Sequence, residues 1–362
     1  MNVSLNVDDV DDVDDVARNT EAATTLMSGR GHDHHLEVSL GLWQDRPASE
    51  VIDTALLADR LGYRSVWIGE MATWDAFALG AHLGVQFQHS GLVLGPFAVA
   101  VRDPAMIAIG VASVAALTRR PVSVALGTSS TVVVENWHGR SRRRSGVMLA
   151  ESARALRQLL DGEKVSFDGE VIRSWGYRLR LPAPSSELVI AAFGDQALSA
   201  AAAYADRLVL NLVDPSSVRD LVAKLQVAAD TIGRPRPRVA VWTTCAVNPS
   251  AEGVEQVRRG VTGYLSAPGY SDMFRRAGFG DVVDFALTKP HPGELLGRIP
   301  VDLVRVTGLL GDESHIEARI KEYIDAGADD IVIIPSATDD DPAGERTLRG
   351  MAEVGAELFG TS

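Results

Sequence analysis

From Leu36 onward, short apolar runs alternate with helix-spaced segments, and the alternation is regular enough to predict an architecture. Val38–Trp43 reads as a strand, and Ala48–Leu61 sets Val51, Ala55, Ala58 and Leu61 on one helical side. Gly62 ends that helix as a left-handed cap residue would, and Val66–Ile68 is the next buried strand. The same helix–glycine–strand unit closes the chain as Ile320–Ala326, Gly327 and Ile331–Ile334. A looser copy without the glycine runs from Ala200–Tyr204 into Leu208–Leu212. Strands at Val85–Leu94, Val122–Leu126, Leu188–Ala192 and Val239–Ala246 complete eight. Eight βα units in one chain predict an α/β fold, a (β/α)8 TIM barrel over residues 36–362. A doubly wound dinucleotide fold would need a G-x-G-x-x-G turn after an early strand, and the chain has none.

Two stretches exceed a minimal barrel. Residues 165–181 read as a β-hairpin turning at Asp168–Gly169. Residues 263–300, rich in Gly and Pro, follow the seventh strand. Loops after strands open on the catalytic face of a barrel, so this insertion is either a substrate lid or a surface excursion.

Composition narrows the setting. Residues 1–35 read as a disordered acidic leader built on Asp-Asp-Val repeats, and its His32, His34 and His35 read as an incidental cluster rather than a metal site. Of the formal net charge of −13, the first 21 residues carry −6. An acidic body argues against nucleic-acid binding. No apolar run is long enough to span a bilayer, the N-terminus is not a secretory signal, and Cys245 is the single cysteine. The expectations are a cytoplasmic protein acting on a small molecule, with no nucleic-acid or membrane partner, and assembled as a homodimer or higher homo-oligomer.

The most informative chemistry follows the fourth strand, in Gly127-Thr128-Ser129-Ser130-Thr131-Val132-Val133-Val134-Glu135-Asn136-Trp137-His138-Gly139. A Gly-Thr-Ser-Ser turn gathers backbone N–H groups and hydroxyls, which suits an oxygen-rich ligand and equally suits a bare helix N-cap. Just beyond, Arg140, Arg142, Arg143 and Arg144 form the one basic cluster, read either as a solvated loop or as a clamp for an anionic cofactor tail.

The Gly127–Gly139 segment resembles the luciferase-like monooxygenase superfamily, in its branch that uses the deazaflavin coenzyme F420. Ala58–Ile68, Arg102-Asp103-Pro104, Ala155–Gly169, Ile190–Gly194 and Ala326–Pro335 resemble the same family in order and spacing. The resemblance implies a barrel whose C-terminal mouth holds the tricyclic ring, with Thr128, Ser129, Ser130 and Asn136 along the cofactor. It implies a non-proline cis peptide in Ser90-Gly91-Leu92, with Gly91 and Leu92 supporting the ring, against the alternative of an ordinary trans strand glycine. It also implies a phosphate site at Gly194-Asp195-Gln196, where a helix begins.

Two departures matter. Asp195 stands where many relatives carry Pro or an uncharged residue, and it could cap the helix and repel a phosphate. In the family's sugar-phosphate dehydrogenases a Trp-x-Ser-Asp-His run supplies a catalytic His. Here the run is Trp67-Ile68-Gly69-Glu70-Met71, so the His position falls on Met71, and the matching acid is lost to Ser129 or Ser130. A thioether transfers no protons, which argues against sugar-phosphate dehydrogenation. The remaining acid–base candidates are Glu70, with a purely structural bond to backbone or Arg as its alternative, and His138, which could instead stack on the cofactor or pack the mouth. His82 and His89 read as core or strand residues. Three functions stand: an F420-dependent oxidoreductase, an FMN monooxygenase of the same superfamily using molecular oxygen, and a cofactor-free binding relative.

Overall fold

The computed structural model describes residues 34–43, 45–70, 72–183, 186–191 and 194–360. Met71 and the leader as far as Asp33 lie outside the described residues. His34 and His35 do not belong with the leader. His34 Nδ1 bonds the Asp329 carbonyl at 3.0 Å, and His35 opens the first strand.

Eleven strands are described. They are β1 (His35–Ser39), β2 (Ser65–Ile68), β3 (Gly91–Ala98), β4 (Val122–Gly127), β5 (Val165–Asp168), β6 (Arg173–Tyr177), β7 (Leu188–Ala191), β8 (Arg207–Asn211), β9 (Arg238–Val247), β10 (Leu309–Gly311) and β11 (Asp330–Pro335). In space they run β10-β9-β11-β1-β2-β3-β4-β7-β8, and β8 pairs back onto β9. The sheet thus closes into the expected parallel barrel, with β10 as an extra strand beside β9. The antiparallel hairpin β5–β6 is present, its ends joined through Gly169–Ile172, where the Gly169 N–H donates to the Ile172 carbonyl at 2.9 Å.

Local chemistry explains the element ends. Gly62 adopts φ +81° after the helix Glu50–Arg60, and Gly327 φ +99° after Glu313–Asp325, the left-handed conformation that side chains resist. In Arg102-Asp103-Pro104, Asp103 accepts from the N–H groups of Ala105 and Met106, both at 3.0 Å, while Pro104 occupies the first helical turn. Asp214-Pro215 repeats the device at the helix Pro215–Thr231.

The third strand requires a correction. Val85 ends the helix Ala76–Gly84 and Phe87 packs in a loop, so the strand begins at Gly91 and not at Val85. The bond between Gly91 and Leu92 is trans; the cis peptide described is Gly95–Pro96. Gly91 and Leu92 open β3 at the end of the barrel opposite the mouth, so they do not support a ring there. His89 and His82 are exposed, neither core nor strand. Within residues 263–300 lie the short helices Tyr270–Arg276, Gly280–Leu287 and Pro292–Arg298.

Strand alternation separates two cores. Outward positions pack against the helices, while Trp67, Val93, Ala125, Val189, Val209, Ala240 and Val332 fill the barrel axis. Below that tier lies a buried ionic plug. Arg207 Nη1 bonds Glu37 at 2.8 Å and reaches Asp330 at 3.4 Å, and Arg238 bonds Asp330 at 2.6 Å. Trp67 Nε1 donates to the other Glu37 oxygen. Although burial opposes its charge, the bonds from His35 and Arg238 and the charge of Arg207 hold the Asp330 carboxyl below the usual range. Removing one member would strand the others, at roughly 3–5 kcal/mol. This end of the barrel is closed.

Candidate active site

Above the apolar tier, alternation decides what faces the mouth. On β4 and β7 the next inward residues after Ala125 and Val189 are Gly127 and Ala191, which are register partners. On β3 the register shifts between Leu94 and Phe97, and Phe97 turns outward to stack on Phe77 at 4.8 Å between ring centroids. Pro96 and Ala98 therefore face inward, and Ala98 pairs with Gly127. A Cβ built on Gly127 would lie 3.3 Å from Pro96 Cβ and 3.4 Å from the Ala191 carbonyl oxygen. One side of the mouth is thus a flat wall with no side chain larger than proline.

Opposite β3 in the ring stands β9. It contributes Trp242, the register partner of Asn211 on β8. The Trp242 and Trp67 rings lie 5.9 Å apart, and Trp67 is in turn the register partner of Ser39. Trp242 Nε1 and Ser39 Oγ are buried and without a hydrogen-bond partner among the described residues. An unmade buried hydrogen bond costs about 1–3 kcal/mol. Two such donors across the barrel from a side-chain-poor wall suit a flat heterocycle with carbonyl and ring-nitrogen acceptors. Asn211 is held by Tyr270, whose hydroxyl donates to the Asn211 carbonyl at 2.9 Å and accepts from Asn211 Nδ2 at 3.2 Å. Tyr270 belongs to the 263–300 insertion, so that insertion is docked on the mouth end of β8.

Glu70 reaches the mouth at the end of β2, but its carboxylate is engaged. Arg102 Nε donates to Oε2 at 2.8 Å, Arg102 Nη2 to Oε1, and the Ala76 N–H to Oε1 at 3.4 Å. Arg102 also bonds Asp75 and lies over the Phe77 and Phe97 rings at 5.1 and 5.5 Å. The hydrogen bonds that Arg102 donates to Glu70 hold its pKa above the ordinary value, so this is a fixed bidentate pair tying the loops after β2 and β3 together.

The Gly127–Gly139 segment forms the rim. Thr128 is half-buried, Ser129 adopts φ +55°, and the Ser130 hydroxyl accepts from the Val133 N–H at 3.2 Å, capping the short π-helix Val132–Trp137. Asn136 and His138 are exposed, with no side-chain partner among the described residues. The geometry therefore gives Ser130 the capping role and leaves Asn136 and His138 facing solvent at the rim. Arg142 reaches back to the Ser129 carbonyl at 2.6 Å and fixes the turn.

Gly194 is the N-cap of the helix Asp195–Tyr204 and supplies no side chain to it, so the first-turn N–H groups are open. A Cβ at Gly194 would meet nothing within 4 Å. Asp195 does not cap its own helix; its carboxylate pairs with Lys224 at 3.3 Å. Gln196 faces Gly146, at the start of the helix Ser145–Leu160, where a Cβ would collide with the Gln196 amide. The rim after β4 and the helix start after β7 are thus neighbours. The sequence reading missed Ser39, Pro96, Ala98, Asn211 and Trp242. Asn211 and Trp242 were visible as polar or large residues in otherwise apolar strands; Ser39 and Ala98 become legible only with the register.

Known proteins share this plan. The sequence profile of the luciferase-like monooxygenase family matches residues 23–330. A 5,10-methylenetetrahydromethanopterin reductase of Methanolobus tindarius is 22% identical over 322 residues, covering 87% of this chain and 97% of that one. The solved coenzyme F420-dependent tetrahydromethanopterin reductase of Methanopyrus kandleri superposes with a TM-score of 0.77 at 16% identity, covering 90% of this chain and 99% of that one. The EDTA monooxygenase of Chelativorans sp. BNC1 superposes with a TM-score of 0.69 at 15% identity, covering 91% and 95%. Such identities establish a common fold, and the profile match over most of the chain establishes the family: this protein belongs to the luciferase-like monooxygenases.

Proposed function

We propose that this chain is an F420-dependent oxidoreductase that passes a hydride between the deazaflavin and a small organic substrate at the barrel mouth. The observation that carries the reading is the Pro96–Ala98–Gly127–Ala191 wall, with the unpartnered donors Trp242 Nε1 and Ser39 Oγ on the barrel strands opposite it. The reductase likeness favours the deazaflavin within the family. When bound, F420 supplies the two-electron chemistry. The wall would seat the ring, the Trp67 tier would exclude water from beneath it, and Glu70–Arg102 would fix the flanking loops. Thr128 and Ser129 would border the cofactor, and the open N–H groups after Gly194, including that of Gln196, would face its phosphate. Glu70 is assigned a positioning role, because both its oxygens are already bonded. His138 stays the proposed proton carrier at the rim, its imidazole being unpartnered.

The same wall would seat FMN, and the EDTA monooxygenase likeness favours that rival. A fluorescence titration of the purified protein with each cofactor decides. The expected result is saturable quenching by F420 and weak or absent quenching by FMN; the reverse order would establish the monooxygenase reading, and no binding of either a cofactor-free role.

We also propose a cytoplasmic homo-oligomer. No helix among the described residues is long and apolar enough to cross a membrane. The helix Pro104–Thr118 contains no charged residue, yet exposes Met106, Ile109 and Leu117. An uncharged apolar face is self-complementary, as a two-fold contact between identical copies requires.

A further inference from the structure

We propose that Tyr270 is a positioning residue: it holds the Asn211 side-chain amide with its oxygen toward the mouth, where that oxygen accepts an N–H or O–H of an uncharged substrate. The inference rests on the proposed function and deepens it. Alternation places Asn211 one tier above Val209, which belongs to the barrel axis, so its side chain points inward on β8. An amide can be turned over, and Tyr270 decides which way. Its one hydroxyl proton goes to the Asn211 backbone carbonyl at 2.9 Å, so the hydroxyl oxygen is left to accept, and it accepts from Asn211 Nδ2 at 3.2 Å. The flipped amide would set two acceptors against each other. Burial raises the Tyr270 pKa above its ordinary value, so the proton that fixes this pattern stays on. Asn211 Oδ1 accepts from nothing among the described residues.

The surroundings hold this amide from both sides. The next residue, Leu212, is buried at φ +47°, a conformation side chains resist, and donates its N–H to the Trp242 carbonyl at 2.8 Å. Such backbone persists only where its surroundings over-determine it. Tyr270 is pinned in turn. Its ring stands edge-on to Tyr264 at 4.9 Å, the Met273 sulfur accepts from the Asp214 N–H at 3.4 Å, and Arg276 Nη2 donates to the Ser217 hydroxyl at 3.1 Å. The helix Tyr270–Arg276 therefore rests on the loop and helix that follow β8. Beside the amide stands its register partner Trp242, whose indole supplies a flat apolar flank. A neutral amide oxygen next to an indole, with Glu70 and Arg102 engaged with each other, offers nothing to a carboxylate or phosphate. An uncharged substrate with a donor group fits this corner. One without the donor leaves the oxygen unpaired, which is how a site built to hydrogen-bond discriminates.

The test uses the full-length protein loaded with F420 and a matched pair of probes: 2-pyrrolidone, which carries an N–H, and N-methyl-2-pyrrolidone, which does not. Dissociation constants are read from the indole N–H resonance of Trp242, identified by its loss in Trp242→Phe. The parent should bind 2-pyrrolidone about tenfold more tightly than the methylated probe, as one hydrogen bond allows. Tyr270→Phe keeps the ring and its packing but releases the amide, and should lose most of that preference. Asn211→Ala removes the acceptor and should abolish it. Tyr264→Phe and Arg276→Ala disturb the same helix without touching Asn211. Both should keep the parent's preference, which separates orientation of the amide from docking of the insertion. Melting temperatures identify the folded variants. A parent that binds the two probes alike, or responds to neither, would overturn the proposal and leave the F420 reading intact. So would a folded Tyr270→Phe or Asn211→Ala that keeps the parent's preference. A parent that takes up no F420 would instead remove the F420 reading, and the same titration on the unloaded protein would still decide the role of Asn211.

Discussion

Glu70 shows how a residue can be in the right place and still be occupied. It stands at the end of a barrel strand, where catalytic groups are usual, yet two Arg102 nitrogens and a backbone N–H already surround its oxygens. The alternative visible in the sequence, a carboxylate bonded to an arginine, is the arrangement found. Replacing Glu70 by Gln should therefore lower stability by roughly 1–3 kcal/mol, the worth of a hydrogen bond to a charged group left unmade, and leave the dissociation constant for F420 nearly unchanged. Unfolding curves and a cofactor titration on the same variant check both halves. A variant as stable as the parent but without turnover would instead make Glu70 a proton carrier. At Gly91 and Leu92 the residue reading failed for a local reason. Val85 is an exposed apolar residue at a helix end and Phe87 packs in a loop, and together they prolonged the apolar pattern backwards and moved the strand's end with it.

Elements were legible wherever the local chemistry is self-contained. Gly62, Gly327 and the Asp-Pro caps declare their helix ends within a few residues, and the β5–β6 hairpin is a local pairing. The insertion was not legible as helices. Its pieces, such as Tyr270–Arg276 and Pro292–Arg298, are only 7 residues each, too short for periodicity to register and stable only through packing. The helix Pro104–Thr118 raises the opposite question, because it is apolar on both sides. If its outer face meets a second copy, Ile109→Glu with Leu117→Glu should convert the dimer to monomer, since burying unpaired like charges across a two-fold axis is costly. Size-exclusion chromatography with light scattering reads this directly. A parent that is already monomeric at working concentration would remove the proposed contact.

For the molecule as a whole, the repeating βα order made the barrel legible, because each unit announces itself without reference to the others. What the sequence hid were the contacts made by closure. The ionic plug joins Arg207 to Glu37 across 170 residues and to Asp330 across 123. The wall of the mouth likewise comes from β3, β4 and β7, aligned only through register and a bulge. On the proposed function, a deazaflavin ring lies against this wall. Ala98 and Ala191 face the mouth, half-buried and outside the packed helical core, with Ala191 resting on the edge of the axial tier, so a phenylalanine at either place would extend into ring space. The decisive measurement is the F420 dissociation constant of Ala98→Phe and Ala191→Phe, taken beside their melting temperatures. We expect both variants to melt like the parent and to lose affinity by about 100-fold or more, equivalent to roughly 2.7 kcal/mol. Stable variants that bind F420 as tightly as the parent would contradict the account and place the ring elsewhere.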